Sequence, residues 1–256
     1  MQTKVKTASE ISAMRESGKI LVSVLELLTS KAKVGITTKA LAELAASELK
    51  ALGGEGPFLG YQGAPGYQNF PDVICISLND EVVHGIPSDR VLADGDIVSL
   101  DFGVKYKGMI TDAARTIIVG RAKQKGHVDL VKNTLLSLEA GIATLHDQVR
   151  TGDIGHAIET ELNRHRYGIV RDLVGHGVGH HLHEDPNIPN YGRPNTGPWL
   201  SAGMTIAIEP MVTLGTDNVH VAKDGWTILT NDSSWAAHFE DTVLITEDGA
   251  EVLTRP

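Results

Sequence analysis

Four histidines fall inside one short stretch, VGHGVGHHLHEDP (Val174–Pro186): His176, His180, His181 and His183. Imidazoles this dense point first to metal ligation. The stretch is not the helical zinc motif with two histidines four apart. His183-Glu184 runs into Asp185-Pro186, and Gly175, Gly177 and Gly179 make a poor helix of the rest. Glycines on both sides of His176 instead let backbone crowd close to a buried centre, as a ligand carried on a strand requires. His183, beyond a bend, can face the same cavity without being a ligand. His180 and His181 read as partly exposed polar residues.

Four carboxylates are also placed unusually. Asp101 in VSLDFGV, Asp112 in MITDAART, Glu209 in AIEPMV and Glu240 in HFEDTV each sit in an apolar, strand-like run. An ionised carboxylate there is unfavourable unless something positive neutralises it. Asp101 by itself is equally well a solvent-facing acid at a strand end. Four such acids on four separate strands are harder to place on a surface. Their roughly four negative charges would be balanced by two divalent cations. Oxygen-rich ligation with one imidazole suits Mn, Fe or Co better than a thiolate-rich zinc site. A two-metal cluster lowers the pKa of a water and polarises a carbonyl.

These side chains need elements to position them. Ile11, Met14, Leu21, Leu25 and Leu28 recur at helical spacing, with Thr7 or Ser9 as cap, and GITTKALAELAASELKALGG reads as a second helix closed by Gly53. The period then changes to β-rich runs: DVICISL, DIVSLDFGVKYKG and DAARTIIVG. If KYKGM turns the chain, Asp101, on one face with Ser99 and Gly103, meets Asp112 across an antiparallel ladder. HVDLVKNTLLSLEAGIATLHDQV and residues 153–166 return to helix, followed by the strand-like MTIAIEPMV, WTILT and HFEDTVLITEDG. Helix–helix–strands thus occurs twice. Two similar halves, about 1–120 and 121–256, would each pack helices on a sheet within a single α+β domain spanning 1–256.

Composition narrows the function classes. A net charge of −9 argues against broad nucleic-acid binding, since no basic surplus exists to neutralise phosphates. No run of about 18 apolar residues predicts a membrane span, and the first residues lack the apolar core of a secretory signal. One cysteine, Cys75, fits a reducing compartment. The expectation is a cytoplasmic globular protein.

Seven stretches in order carry a family resemblance: NDEVVHGIP, DIVSLDFGV, ITDAARTIIVG, GHGVGHHLHEDP, IEPMV, DGWT and FEDTVLIT. Over nearly its whole length the chain resembles the type I methionine aminopeptidases of peptidase family M24. The resemblance implies the pita-bread fold, with two pseudo-twofold-related halves whose helices pack on a curved antiparallel sheet. It implies Asp101, Asp112, His176, Glu209 and Glu240 as ligands of two divalent metal ions (Mn, Fe, Co or Zn), with Asp112 and Glu240 bridging both. It places His183 at the scissile carbonyl, His84 of VHGIP against the substrate backbone, and Glu209 as proton acceptor. The implied activity is removal of the N-terminal methionine from nascent proteins whose second residue is small. It would be carried out by a monomer near the ribosome, without DNA or membrane partners. The methionine pocket would include Cys75, Leu182, Trp226 and aromatic residues of the loop before Cys75.

That loop departs from the family pattern. GYQGAPGYQNFP, residues 60–71, looks like a tandem copy of one hexad. Counting back from Cys75 favours Tyr67 and Phe70 as pocket residues, whereas the word FLGYQG favours Tyr61; the copy nearer Cys75 is preferred. His180-His181 and Asp241 are further departures, Asp241 standing where histidine is common and where an extra acid would alter metal affinity. The short spacing from Glu209 to Glu240 leaves no room for the type II insertion, and the expectation is a domain without a zinc-finger extension before it. Three rivals remain: a prolidase or proline-directed aminopeptidase, expected to carry a large N-terminal domain; a non-catalytic peptide-binding module, expected to have lost ligands; and a four-histidine zinc site, which leaves the carboxylates unexplained.

Overall fold

Helix α1, Ala8–Lys31, starts where TASE predicts: Thr7 Oγ1 accepts the Glu10 N–H, and the Glu10 carboxylate accepts the Thr7 N–H. Met14, Leu21, Leu25 and Leu28 form its buried stripe. Helix α2, Thr38–Ala51, is capped by Thr37, and Gly53 follows its end at positive φ. The computed structural model describes residues 3–256.

Four strands follow: β1 (Ile74–Leu78), β2 (Glu81–Val83), β3 (Ile97–Tyr106) and β4 (Met109–Ile118). The second half begins with α3 (Lys125–Ile142), β5 (Val149–Arg150) and α4 (Thr151–Asn163). The sequence places α4 at 153–166, but Asp153 lies inside its first turn, accepting the Arg150 N–H. Then come β6 (Gly168–Ile169), β7 (Gly175–Gly177), β8 (Glu184–Ile188), β9 (Trp199–Leu200) and β10 (Thr205–Ile208). The chain continues through β11 (Met211–Thr213), β12 (Val219–Val221), β13 (Ile228–Thr230) and β14 (Ala236–His238), and ends with β15 (Glu240–Ile245) and β16 (Ala250–Val252).

One eight-stranded antiparallel sheet joins the halves in the order β1-β3-β4-β15-β10-β7-β8, with β16 beside β15. The β4–β15 pair is the seam, where Glu240 stands opposite Ala114 and Asp241 opposite Ala113. Alternation along β3 sends Val98, Leu100, Phe102 and Val104 under α1 and α2. Full burial of each such side chain stabilises the fold by about 1.5–3 kcal/mol. Ile206, Ile208, Val243 and Ile245 do the same beneath α3 and α4. The opposite face of the same strands is therefore free to carry polar chemistry. Among the described residues, no helix is long and apolar enough to cross a membrane.

Candidate active site

The face of the sheet turned away from the helices collects the acids. In the β3–β4 hairpin Asp101 pairs with Ala114 and Gly103 with Asp112, so the two carboxylates are diagonal neighbours on one face rather than directly opposed. Cys75 on β1 stands directly across from Asp101, and Glu240 begins β15 next to Ala114. Glu209 is not on a strand as the sequence suggests. It follows the last residue of β10, because Pro210 has no N–H to continue the ladder.

His176 arrives on β7, opposite Ala207. A Cβ on Gly175 would lie 2.4 Å from Ala207 O, and one on Gly177 would lie 2.7 Å from Thr3 Cβ. Only glycine on both sides lets the imidazole enter here. Its Nδ1 bonds Gly177 O at 2.9 Å, leaving Nε2 3.4 Å from Glu209 Oε1. One atom each of Asp112, His176 and Glu240 lie within 4.8 Å of one another.

Asp101 Oδ1, Asp112 Oδ1 and Glu240 Oε1 are buried without a hydrogen-bond partner. Burial, and after it the neighbouring Asp112 charge, pushes the Asp101 carboxyl well above its usual range. Burial raises Asp112 to about 7. Glu209 and Glu240 are likewise pushed far up, by burial first and then by the other acids. Burial also lowers His176 to about 3. Acids that repel one another beside a neutral imidazole form a donor set that fits divalent cations.

These groups open onto a cavity of about 100 Å³, below the roughly 300–1,000 Å³ of drug-sized sites and suited to one side chain. Its far wall is apolar: Phe58, Phe70, Cys75, Leu182 and Trp226. Trp226 is fixed by its Nε1–H to Gln68 O at 2.9 Å and by edge contact with Phe70, ring centroids 5.2 Å apart. Burial keeps the Cys75 thiol protonated.

His84 and His183 border the same cavity. His84 holds φ at 59°, a left-handed conformation that costs a non-glycine residue about 1–3 kcal/mol and clusters at functional sites. Desolvation, then His183, lowers its pKa to about 4. His183 stands at the mouth, its ring centroid 4.4 Å from that of His176, and its Nδ1 lies 2.7 Å from the Tyr61 hydroxyl.

Tyr61, not Tyr67, lines the cavity. Phe70 N–H bonds Tyr61 O and Gly60 N–H bonds Phe70 O, so the first tyrosine is clamped beside Phe70. Residues 62–69, between the clamped Tyr61 and Phe70, bulge outward and carry Tyr67 away to cover Gly225, half exposed. Counting back from Cys75 failed because the inserted residues form an excursion rather than a shift.

His180 also lies off the cavity, bonding the Glu10 carboxylate at 2.8 Å, and His181 is exposed. Asp241 points to the helix side, paired with Arg115 and Arg255 at 2.7 Å each. It therefore adds no acid to the cavity. Sequence reading missed His238: fully buried, two residues before Glu240, with Nε2 3.7 Å from Glu209 Oε2. Two-residue alternation from Glu240 was the signal that could have found it.

A family model for metallopeptidase family M24 matches residues 12–247. The chain belongs to this family. A methionine aminopeptidase of Mycoplasma capricolum is 45% identical, covering 98% of each chain. Methionine aminopeptidase 1 of Bacillus subtilis is 44% identical, again over 98% of both. The crystal structure of the methionine aminopeptidase of Thermotoga maritima superposes with a TM-score of 0.95 at 42% identity, covering 100% of each chain. The architecture is accordingly the α+β pita-bread fold of M24, and the chain is a metallopeptidase.

Proposed function

We propose that this chain hydrolyses the first peptide bond of chains beginning with methionine, and that Asp101, Asp112, His176, Glu209 and Glu240 hold two divalent cations for that reaction. The observation that carries the reading is the convergence of unpartnered buried carboxylates with His176 at one end of a side-chain-sized apolar cavity. Cations bound there lower the pKa of a water and polarise a carbonyl.

The chain's own residues supply the rest. The apolar wall receives the methionine side chain, discriminating by about 1–3 kcal/mol per methylene. With the Tyr61 hydroxyl donating to Nδ1, the His183 proton sits on Nε2, positioned to hydrogen-bond the scissile carbonyl oxygen as negative charge develops. His84, neutral near pH 7, faces the substrate backbone. Glu209, whose raised carboxyl would give up its proton once divalent cations neutralise the cluster, would then be free to accept the proton released on attack. The substrates in this reading are N-terminal methionine peptides and nascent chains with a small second residue, met near the ribosome in the cytoplasm. The working unit is a monomer acting as one catalytic domain over 1–256.

The test is turnover of Met-Ala-Ser against an Xaa-Pro peptide, after chelator treatment and add-back of Mn, Fe, Co or Zn. Cleavage of Met-Ala-Ser that returns with metal is expected. Cleavage confined to the Xaa-Pro peptide would transfer the site to proline-directed chemistry, and no metal-dependent cleavage would end the catalytic reading.

A further inference from the structure

We propose that His238 is a second imidazole ligand of the cation site, joining Glu209 and Glu240 so that Glu240 lies between two nitrogen donors. This rests on the metal reading above. One atom each of Glu209, His238 and Glu240 lie within 4.8 Å of one another, a group distinct from Asp112, His176 and Glu240 but sharing Glu240. His238 Nε2 is 3.7 Å from Glu209 Oε2 and 3.9 Å from Glu240 Oε2. Both separations are too long for hydrogen bonds. Donors each about 2.0–2.2 Å from a common ion can stand up to about 4.4 Å apart, so the spacing suits atoms that share a cation.

The ring has no structural explanation of its own. Its side chain is 2% exposed, and neither Nδ1 nor Nε2 has a partner. An unsatisfied buried polar group costs about 1–3 kcal/mol. His176 differs, its Nδ1 being held by Gly177 O. The His238 backbone is pinned as well: its N–H donates to Thr116 Oγ1 at 3.0 Å, and its carbonyl accepts from the same hydroxyl. The fold thus spends two backbone bonds to hold an imidazole that no protein group uses. A second nitrogen donor biases the site towards Co, Fe or Zn over Mn, because imidazole suits the former and oxygen ligands the latter.

The full chain loaded with Co(II) gives the test, by proton NMR of hyperfine-shifted, slowly exchanging imidazole N–H signals. Two signals are expected in the wild type, one each in His238→Gln and His176→Gln. Calorimetric titration should show His238→Gln loosening Co(II) by at least about 10–100-fold, the range for losing even an outer partner of a ligand, and Mn(II) by less. A single wild-type signal that survives His238→Gln would overturn the proposal while leaving the metal reading intact. Absence of bound Co(II) and of any shifted signal would sink both. The wild-type count decides even if the variants misfold, and His238→Asn provides a second variant.

Discussion

Glu240 and Asp241 are chain neighbours at the start of one strand, both buried, and the sheet sends them to opposite faces. Asp241 meets Arg115, Arg255 and the Thr254 hydroxyl, every contact within hydrogen-bond reach. Glu240 meets Asp112, Glu209 and Asp101, which raise its pKa after burial does. One acid is fully answered by the protein; the other is surrounded by like charge with an oxygen left unpartnered. Burial of an acid therefore says little about its use. What separates a structural carboxylate from a cation-binding one is whether the fold supplies the opposite charge.

Substitution can break that contrast. Glu240→Gln should abolish tight cation binding and peptide turnover while leaving the metal-free protein at least as stable, read by calorimetry, cleavage of Met-Ala-Ser and thermal melting. Asp241→Ala should do the reverse. It leaves two arginine heads without their acid and lowers stability by about 3 kcal/mol, at the lower end for a broken buried pair because both arginines are partly hydrated. Its cation affinity should change little. If Asp241→Ala emptied the cation site without lowering the melting temperature, the two-face distinction would be wrong. On the cavity side, His183→Ala should slow turnover by about 100 to 1000-fold, as loss of an oxyanion donor does; an unchanged rate would remove His183 from the chemistry.

The pH dependence of the metal-free protein sharpens the same comparison. Between the ordinary carboxyl and imidazole values, the folded state keeps protons on the cavity acids, while the unfolded state keeps them on histidines, and the two effects oppose each other. Above about pH 6.5 the unfolded imidazoles are neutral too. The cavity acids then carry most of the difference: Asp112 holds its proton to about 7 and burial pushes Asp101, Glu209 and Glu240 well above the carboxylate range, whereas the unfolded chain has released those protons. The buried Cys75 thiol, also pushed up, acts in the same direction. The folded state binds more protons, so stability falls as pH rises through this window. Melting curves at pH 6.5 and 8.5 should show this fall with chelator present and lose it when saturating cation displaces the protons. A fall of equal size in Glu240→Gln and the wild type would mean that Glu240 is not one of the titrating acids. The smallest effect is expected in the loop. Tyr61→Phe should lower kcat/KM by no more than about tenfold, the worth of one neutral hydrogen bond, while Tyr67→Phe should have no effect on it.

Several features were legible in the chain because they are local. Thr7 with Glu10 writes a helix start, Leu21, Leu25 and Leu28 write its buried face, and two-residue alternation puts Asp101 opposite in facing to Leu100 and Phe102. Glycines around His176 signal the close backbone approach that β7 makes to its neighbours. The loop reading failed at Tyr67 because residue counting assumes a taut chain, and an excursion between two backbone bonds absorbs any number of residues.

Residue types and periodicity alone determined the helices to within a few residues, the long strands such as β3, β4 and β15, and a surplus of acids in apolar runs, since each of these is settled by neighbours a few positions away. Only the tertiary structure decided which acids repel one another, that Asp241 has two arginines, that Tyr61 touches His183, and that His238 joins the cluster. Those outcomes depend on contacts between residues far apart in the chain, such as Arg115 with Asp241, 126 positions away, and the free energy of a buried charge is set by whatever those contacts bring beside it.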